Sequence, residues 1–317
     1  MFGLKTDCIL EAREKYYTLE DYQGAVARWC PGCGDHAVLT AIQKLCREQQ
    51  LAPENTVFVS GIGCSSRFPH YMKTFGFHGL HGRALPVAEG IRFRRPDLNV
   101  FVITGDGDCC SIGAGHWVHS IRYNMNITVM LLDNEIYGMT KKQTSPTTQM
   151  GTKTNTHPYG SVLPPINPLS TALGMTNVSF VAQTIDWNPA HLYETIKRGF
   201  EHPGMAFIRI LQRCPHFRKD LFEPMVTAYD EILLLRHEKG IPLDDQVAKI
   251  YKNQIEHNPE DIHKGRELAD TEDKIPIGLF YCNPNRVRYD EYGSSNLGAT
   301  IDQKIQLLEQ EFDRYSV

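Results

Sequence analysis

The pattern of apolar and polar positions over residues 99–139 predicts a strand, a helix and a second strand. Residues 100–104 form an apolar, β-branched run that is typical of a buried strand, and residues 127–132 form a second such run. Between them, residues 111–123 begin with small side chains and predict a helix that packs closely against its neighbours. The segment is therefore predicted to be a β-α-β unit with two parallel strands.

The rest of the pattern predicts further helices and strands and one long polar loop. The predicted strands cover residues 57–60, 180–183 and 206–211, and the predicted helices cover residues 35–45, 87–93, 189–201, 229–239 and 301–312. We expect Asp35 to cap the first of these helices and Gly240 to close the helix over residues 229–239. The last helix is predicted to be amphipathic, with an apolar stripe of Ile301, Ile305, Leu308 and Phe312. Residues 140–160 are polar and long enough to form a functional loop or a lid.

Polar groups follow both strands of the β-α-β unit. The first strand leads into GDGD at residues 105–108, and the second leads into DN at residues 133–134. Because parallel strands end at one edge of a sheet, we expect the Asp106 carboxylate and the Asn134 amide oxygen to lie there together. Mg²⁺ prefers oxygen ligands and often shares them with phosphates, which also bind at helix N-termini. The pattern indicates a metal–diphosphate site, although a tight turn alone would also explain the sequence GDG.

The composition excludes several classes of protein. The chain has 317 residues, of which 33 are Lys or Arg and 37 are Asp or Glu, so the net charge is −4. This balance argues against a general nucleic-acid-binding protein. No apolar run approaches the ~20 residues that span a bilayer, and no secretory signal pattern is visible. Nine cysteines, an odd number, disfavour a disulfide framework, so we expect a cytoplasmic protein. The charge and the absence of a long apolar run lead us to expect no nucleic-acid or membrane partner.

Cys30 and Cys33 are a candidate redox or metal site at the entrance to the helix over residues 35–45. A thioredoxin-type redox couple would suit this position, because the helix dipole lowers the pKa of a thiol. A zinc site would normally need a second Cys-x-x-Cys pair, and the sequence has none. An iron–sulfur cluster needs four thiolates, two of which can be distant in sequence. The spacing alone leaves the redox couple and the cluster equally open.

Several motifs together resemble one known family. GDG at residues 105–107, followed by Asn134, resembles the thiamine diphosphate fingerprint. The flanking motifs resemble the beta subunits of 2-oxoacid:ferredoxin oxidoreductases, and within that family most of all 2-oxoglutarate:ferredoxin oxidoreductase. They are GIGCS at residues 61–65, HGRALP at 81–86, YGMTK at 137–141 and SPTT at 145–148. The resemblance covers about residues 25–215, and it implies a diphosphate-binding domain with a doubly wound, mostly parallel α/β sheet.

The same resemblance implies a [4Fe–4S] cluster. It places Cys30 and Cys33 at the first two ligand positions, Cys64 at the third and Cys214 at the fourth. Cys282 is the alternative fourth ligand. The remaining cysteines are expected to be ordinary small apolar residues; they are Cys8, Cys46, Cys109 and Cys110.

The resemblance also implies a Mg²⁺ ion held by Asp106, Asn134 and the backbone carbonyl of Ile136. The implied cofactor-binding residues are Ile62, Gly63, Cys64, Ser65, His81, Gly82, Arg83, Ala84, Gly107, Asp108, Gly138 and Met139. The candidate catalytic residues are His81, Arg83 and Lys141. Arg83 would bind a diphosphate or a carboxylate, with a structural ion pair as the alternative. Lys141 would bind the substrate carboxylate, with a surface lysine as the alternative.

The implied reaction is the coenzyme A-dependent oxidative decarboxylation of a 2-oxoacid, with 2-oxoglutarate favoured, or the reverse carboxylation. Ferredoxin would take the electrons. Thiamine enzymes also use a glutamate from a separate pyrimidine-binding domain, so an alpha subunit is the expected partner in an α2β2 enzyme. Three alternatives stay open: a pyruvate- or branched-chain-specific member, a cluster-free thiamine diphosphate decarboxylase or synthase subunit, and a non-catalytic electron-transfer subunit.

The predicted domain organisation has three parts. Residues 1–24 form an N-terminal arm, and residues 25–215 form the domain that binds thiamine diphosphate and the cluster. Residues 216–317 are more charged and less strand-like. We expect this last part to be a C-terminal extension that wraps the domain or reaches a neighbouring subunit.

Overall fold

The computed structural model describes residues 16–292 and 300–315. Most of the predicted N-terminal arm, with Cys8, lies outside the described residues. Within them, nine strands form one sheet in the order β2-β1-β3-β4-β6-β5-β9-β7-β8. The strands are β1 (Thr56–Ser60), β2 (Phe75–His78), β3 (Asn99–Gly105), β4 (Thr128–Asp133), β5 (Phe180–Ile185), β6 (Ala206–Leu211), β7 (Ile232–Arg236), β8 (Asn253–Glu256) and β9 (Ile275–Cys282). Neighbouring strands are parallel except for β5 and β9, so the expected mostly parallel sheet is confirmed.

Helices connect these strands. They are α1 (Asp35–Glu48), α2 (Ala84–Arg94), α3 (Ala114–Tyr123), α4 (Pro168–Gly174), α5 (Pro189–Phe200), α6 (Asp245–Ala248), α7 (Ile262–Ala269), α8 (Tyr289–Tyr292) and α9 (Ile301–Tyr315). A single π-helical turn at Asp108–Ile112 precedes α3 and overlaps only the first two residues of the helix that was predicted over residues 111–123. None of the described helices is long and apolar enough to cross a membrane.

Both faces of the sheet are covered, as a doubly wound fold requires. Alternate residues of a strand point to opposite faces. Phe58 and Phe101 pack on one face with side chains of α1 and α5. Val59 and Val102 pack on the other face with side chains of α2 and α3. This two-sided burial explains why the inner strands read as continuous apolar runs rather than as alternating ones.

Two local predictions were wrong. Residues 229–239 contain a short 3₁₀ turn and then β7, instead of a helix. The run ILLL at residues 232–235 is short and apolar, so periodicity cannot separate a buried strand from a helix, and pairing with β8 and β9 decides for the strand. Asp35 is the first residue of α1 rather than its cap, which is Gly34. The C-terminal part of the chain thus adds three strands to the sheet, and its role around a neighbouring subunit stays a prediction.

The register of the central strands brings four loops together. Gly105 pairs with Leu132, and Asp133 pairs with Leu211, so β3, β4 and β6 end side by side. Ser60 at the end of β1 pairs with Ile103 of β3. The segments that follow these strands therefore lie at one edge of the sheet, where ligands bind in open α/β folds.

Phe101 lies in β3, one of the strands that lead to this edge, and gives a test of the packing. Its ring is fully buried and stacks on Phe58 and Phe200, with centroids 4.9 Å and 5.5 Å away. We expect Phe101→Ala to lower the free energy of unfolding by about 3–5 kcal/mol, because the cavity left behind cannot close. Urea denaturation measures the change. Phe312→Ala is the matched control, since that ring is 68% exposed and its loss should cost less than about 0.5 kcal/mol. Equal losses in the two variants would contradict this account.

Candidate functional site

A cavity of about 370 Å³ lies at this edge of the sheet. Twelve of the residues predicted from the sequence line it. They are Ile62, Gly63, Cys64, Ser65, His81, Asp106, Gly107, Asp108, Asn134, Ile136, Gly138 and Met139. The structure therefore brings together four segments that are as far apart in sequence as residues 62 and 139.

The Asp108 carboxylate ties these loops to one another. Its Oδ1 accepts hydrogen bonds from the backbone N–H groups of Ile62 and Gly82, at 3.0 Å and 2.7 Å. Its Oδ2 accepts one from the Thr104 hydroxyl at 2.7 Å. The side chain is 2% exposed. Since charge-assisted bonds to a buried carboxylate are strong, Asp108 ties the loops after β1 and β2 to the turn after β3.

Asp108 also orients His81. The Asp108 Oδ1 lies 2.6 Å from His81 Nδ1, and the imidazole is about one third exposed where it lines the cavity. A carboxylate at this distance keeps a proton on Nδ1, which makes Nε2 the basic ring nitrogen. His81 is therefore presented to the cavity in one tautomer.

Two glycines allow the loops to approach so closely. A Cβ on Gly61 would lie 2.0 Å from the Asp108 Oδ2. A Cβ on Gly107 would lie 2.2 Å from the ring of Tyr137, whose hydroxyl donates to the Gly107 carbonyl at 3.0 Å. The packing of Tyr137 across the turn thus requires a glycine at Gly107, the second glycine of the GDG motif.

Asp106 lines the cavity, and the residue is only 3% exposed. Thr147 Oγ1 lies 2.8 Å from Asp106 Oδ2 and 2.9 Å from Asp133 Oδ1. Asp133 is in turn paired with Arg209, whose Nη2 is 2.6 Å from its Oδ2. Burial, and then the nearby charge of Asp133, raises the pKa of Asp106 to about 7. Of these two carboxylates, only that of Asp106 lines the cavity, because Asp133 is fully buried against Arg209.

Asn134 lines the cavity, and two hydrogen bonds hold its side-chain amide. The Oδ1 accepts from the Ile136 N–H at 3.1 Å, and the Nδ2 donates to Gln212 Oε1 at 2.9 Å. Both Asn134 and Ile136 line the cavity with Asp106. These are the three residues that the resemblance names as Mg²⁺ ligands, and oxygen donors of this kind suit that ion.

The remaining predicted residues lie around the cavity rather than in its wall. Gly82 and Ala84 pack behind it, next to Asp108. Arg83 Nη1 donates to the backbone carbonyls of Gly82 and Ile112. Lys141 is exposed, with a positive φ of 72°, and directly follows the lining residue Thr140.

The four predicted cluster cysteines come from loops that contact one another. Trp29 Nε1 donates to the Cys64 carbonyl at 2.7 Å, and the Gly34 N–H donates to the Arg213 carbonyl at 3.1 Å. Burial raises the pKa of Cys64 to about 12, and the nearby Asp35, Cys214 and Cys30 add to the shift.

Burial likewise raises the pKa of Cys214, against the opposing effect of the backbone N–H groups of residues 216–218. Within residues 16–292 and 300–315, no three His, Cys, Asp or Glu side chains are already arranged around a metal position.

The other cysteines within the described residues are buried in the core. Cys282 lies on β9 with its Sγ 3.9 Å from His202 Nδ1. Cys46, Cys109 and Cys110 pack among apolar side chains. All eight described cysteines are free thiols.

Sequence reasoning missed three residues of the site, namely Tyr137, Thr147 and Gln212. Thr147 belongs to the SPTT motif that carries the resemblance, but nothing in the motif shows that the hydroxyl returns to Asp106. Tyr137 and Gln212 each form their contact with a residue at least 30 positions away. Only the folded chain reveals these pairs.

The hydrogen bonds to Asp108 predict a measurable contribution to the stability of the protein. Asp108→Ala leaves the N–H groups of Ile62 and Gly82 without their acceptor, so we expect a loss of about 3 kcal/mol or more in the free energy of unfolding. Hydrogen exchange at these two amides should also become faster. The control is Asp97→Ala, because that carboxylate is exposed and pairs with an exposed Arg95. Unchanged exchange at Ile62 and Gly82 in Asp108→Ala would show that the carboxylate does not hold these loops.

Residues 61–210 match the family described as "Thiamine pyrophosphate enzyme, C-terminal TPP binding domain". The chain is 45% identical over 216 residues to "2-oxoglutarate oxidoreductase subunit KorB" of Mycobacterium tuberculosis, a match that spans 68% of this chain and 58% of that protein. It is 38% identical over 291 residues to "2-oxoacid:ferredoxin oxidoreductase subunit beta" of Sulfolobus sp., and this match spans 89% of this chain and 91% of that protein.

A solved structure is similar over nearly the whole chain. It is the 2-oxoglutarate:ferredoxin oxidoreductase of Magnetococcus marinus with 2-oxoglutarate, coenzyme A and succinyl-CoA bound, and the match has a TM-score of 0.78 and 33% sequence identity. It covers 93% of this chain and 97% of that chain. The family match spans all the loops that line the cavity, from Ile62 to Gln143. The chain belongs to the beta subunits of the 2-oxoacid:ferredoxin oxidoreductases, and its cavity lies in their thiamine diphosphate-binding domain.

Proposed function

We propose that this chain acts with an alpha subunit in the coenzyme A-dependent oxidative decarboxylation of 2-oxoglutarate, or in the reverse carboxylation. The observation that carries the proposal is the position of Cys64, which lines the cavity and also belongs to the group of contacting cysteine loops. A cofactor in this cavity would lie beside an electron acceptor built on that group. The similar Magnetococcus marinus structure holds 2-oxoglutarate, coenzyme A and succinyl-CoA, which supports the choice of substrates.

For the cofactor, we propose that Mg²⁺ is bound by Asp106, Asn134 and the carbonyl of Ile136. The donor set fits, because it consists of oxygen atoms that line one cavity and because Asp106 is buried near the second carboxylate of Asp133. Thiamine diphosphate bound by these residues would supply a nucleophilic carbon for chemistry at the keto group of the substrate. The protein contributes a turn of small residues at Gly107 that lets the backbone approach the diphosphate.

For the electron acceptor, we propose a [4Fe–4S] cluster on Cys30, Cys33, Cys64 and Cys214. Four thiols from three contacting loops are the ligand number and type that such a cluster needs. The thiols must lose their protons to bind iron, so their raised pKa values are expected of the metal-free chain. Ferredoxin would then take the electrons from this side of the molecule.

Three side chains remain as candidates for contact with the substrate. His81 offers Nε2 to the cavity, because Asp108 holds its Nδ1. Lys141 is exposed next to the lining residue Thr140, where it can meet a substrate carboxylate. Arg83 Nη1 donates to the carbonyls of Gly82 and Ile112. To bind an anion, as predicted, Arg83 would have to give up these two hydrogen bonds.

The alpha subunit is proposed from two features. The family uses a glutamate from a pyrimidine-binding domain, whereas residues 61–210 match the diphosphate-binding domain. The loop that lines the cavity at Met139 also exposes large apolar side chains, which mark interaction surfaces when they cluster; they are Met139, Met150, Tyr159, Val162 and Leu163. We further propose a reducing, cytoplasmic compartment, in keeping with the eight free thiols.

The activity is tested with the enzyme purified together with its alpha subunit. We expect methyl viologen reduction with 2-oxoglutarate and coenzyme A, and slower reduction with pyruvate or a branched-chain 2-oxoacid. The beta chain purified alone should be inactive, because it lacks the glutamate. A faster rate with pyruvate would overturn the substrate assignment, and turnover by the isolated beta chain would overturn the need for the partner.

The cluster ligands are tested by a matched pair of variants in the same complex. We expect Cys214→Ser to lose most of the iron and of the visible absorbance while it keeps its bound thiamine diphosphate. Cys282→Ser should keep both, because Cys282 is buried on β9 against His202. Iron and thiamine analyses give the result. A colourless wild-type complex, or the loss of iron in Cys282→Ser alone, would refute the proposed ligand set.

A further inference from the structure

We propose that Gln212 is a positioning residue that couples the metal–diphosphate site to the cluster, through one side-chain amide. The inference rests on the proposed function, because it concerns residues assigned there to Mg²⁺ and to iron. Gln212 Oε1 accepts a hydrogen bond from Asn134 Nδ2 at 2.9 Å. Its Nε2 lies 3.2 Å from the Cys33 sulfur, in position to donate to it. One side chain thus contacts a ligand of each group.

The protein holds this amide rigidly. Gln212 is 2% exposed and directly follows β6. Its backbone N–H donates to the Asp133 carbonyl at 2.9 Å, which extends the pairing of β4 and β6 by one residue. The second hydrogen of Nε2 is directed to the carbonyl of Arg213. A side chain fixed at both ends has little freedom to leave its partners.

The three contacts also determine which way the amide points. A reversed amide would place Oε1 against the Arg213 carbonyl and Nε2 against the Nδ2 donor of Asn134. Both contacts would be repulsive, so Nε2 faces Cys33 and Oε1 faces Asn134. The same logic fixes Asn134, whose Oδ1 must face the N–H of Ile136.

Each contact has its own consequence. An N–H donor to a cluster sulfur stabilises the reduced cluster, which carries one more negative charge, and so raises the reduction potential. An acceptor for Asn134 Nδ2 holds this amide in one orientation, so that the Oδ1 that accepts from Ile136 keeps a second lone pair for the proposed Mg²⁺, as outer hydrogen-bond partners of metal ligands generally do. Gln212 therefore sets the driving force for electron transfer and the affinity for the metal at the same time.

The test uses the complex with the alpha subunit and two equilibrium measurements. We expect Gln212→Met to favour the oxidised cluster about tenfold, which lowers the potential by about 59 mV for a one-electron couple. We also expect Mg²⁺ to bind at least about tenfold more weakly in the presence of thiamine diphosphate. A redox titration followed by electron paramagnetic resonance gives the first value, and equilibrium dialysis of Mg²⁺ gives the second.

A second variant separates the two effects and covers the case in which Gln212→Met does not fold. Gln212→Glu, studied at pH 8.5, keeps an acceptor for Asn134 and removes the donor to Cys33. Gln212→Glu should lower the reduction potential of the cluster at least as much as Gln212→Met does. The Mg²⁺ affinity should change less than about threefold. Gln183→Met is the control, because Gln183 is also 2% exposed and also donates and accepts, but to Pro276 and from Arg209.

The outcomes are distinct. A wild-type-like potential in both Gln212 variants overturns the inference, as does a shift of equal size in Gln183→Met. A wild-type complex without a cluster signal or without a Mg²⁺ requirement overturns the proposed function instead. A lowered potential in both Gln212 variants, with weaker Mg²⁺ binding in Gln212→Met alone, supports the coupling.

Discussion

The Asp108 carboxylate is the contact on which the geometry of the cavity depends. Loops after different strands of a parallel sheet have no ladder to hold them, so another group must fix them. Asp108 does so by accepting from two backbone N–H groups, from Thr104 and from His81 while it is almost fully buried. The π-helical turn that begins at Asp108 places the carboxylate within reach of both loops. The wall of the site, and the tautomer of His81, follow from this one side chain.

The sequence predicted the central part of the fold because the local pattern and the tertiary environment agree there. The strands around residues 100–104 and 127–132 are buried on both faces, and two-sided burial produces the continuous apolar runs that were recognised. β7 was missed for the converse reason. Its run of leucines suits a helix and a strand equally, and the deciding contact is with β9, which lies more than 35 residues further along the chain.

The candidate site likewise contains residues that the sequence predicted and residues that it did not. Asp106, Asn134 and the loop glycines follow predicted strands, so topology alone brings them to one edge. The partners that orient them could not be predicted, because they arrive from distant segments. Thr147 reaches Asp106 after the chain has run through a long loop, and Gln212 reaches Asn134 from another strand. Sequence patterns record which residue types a site contains, whereas hydrogen-bond partners depend on the path of the loops between them.

The electrostatics of this edge of the sheet support the proposal of a cation in the site. A helix N-terminus and glycine N–H groups attract a diphosphate, but Asp106 and Asp133 repel it. Arg209 pairs with Asp133 and offsets one of these charges, while Asp106 receives only neutral hydroxyl groups, from Ser145 and Thr147. The uncompensated carboxylate is therefore the one that faces the cavity. The Mg²⁺ proposed for this site would turn this repulsion into attraction, because it would be shared between the carboxylate and the phosphates.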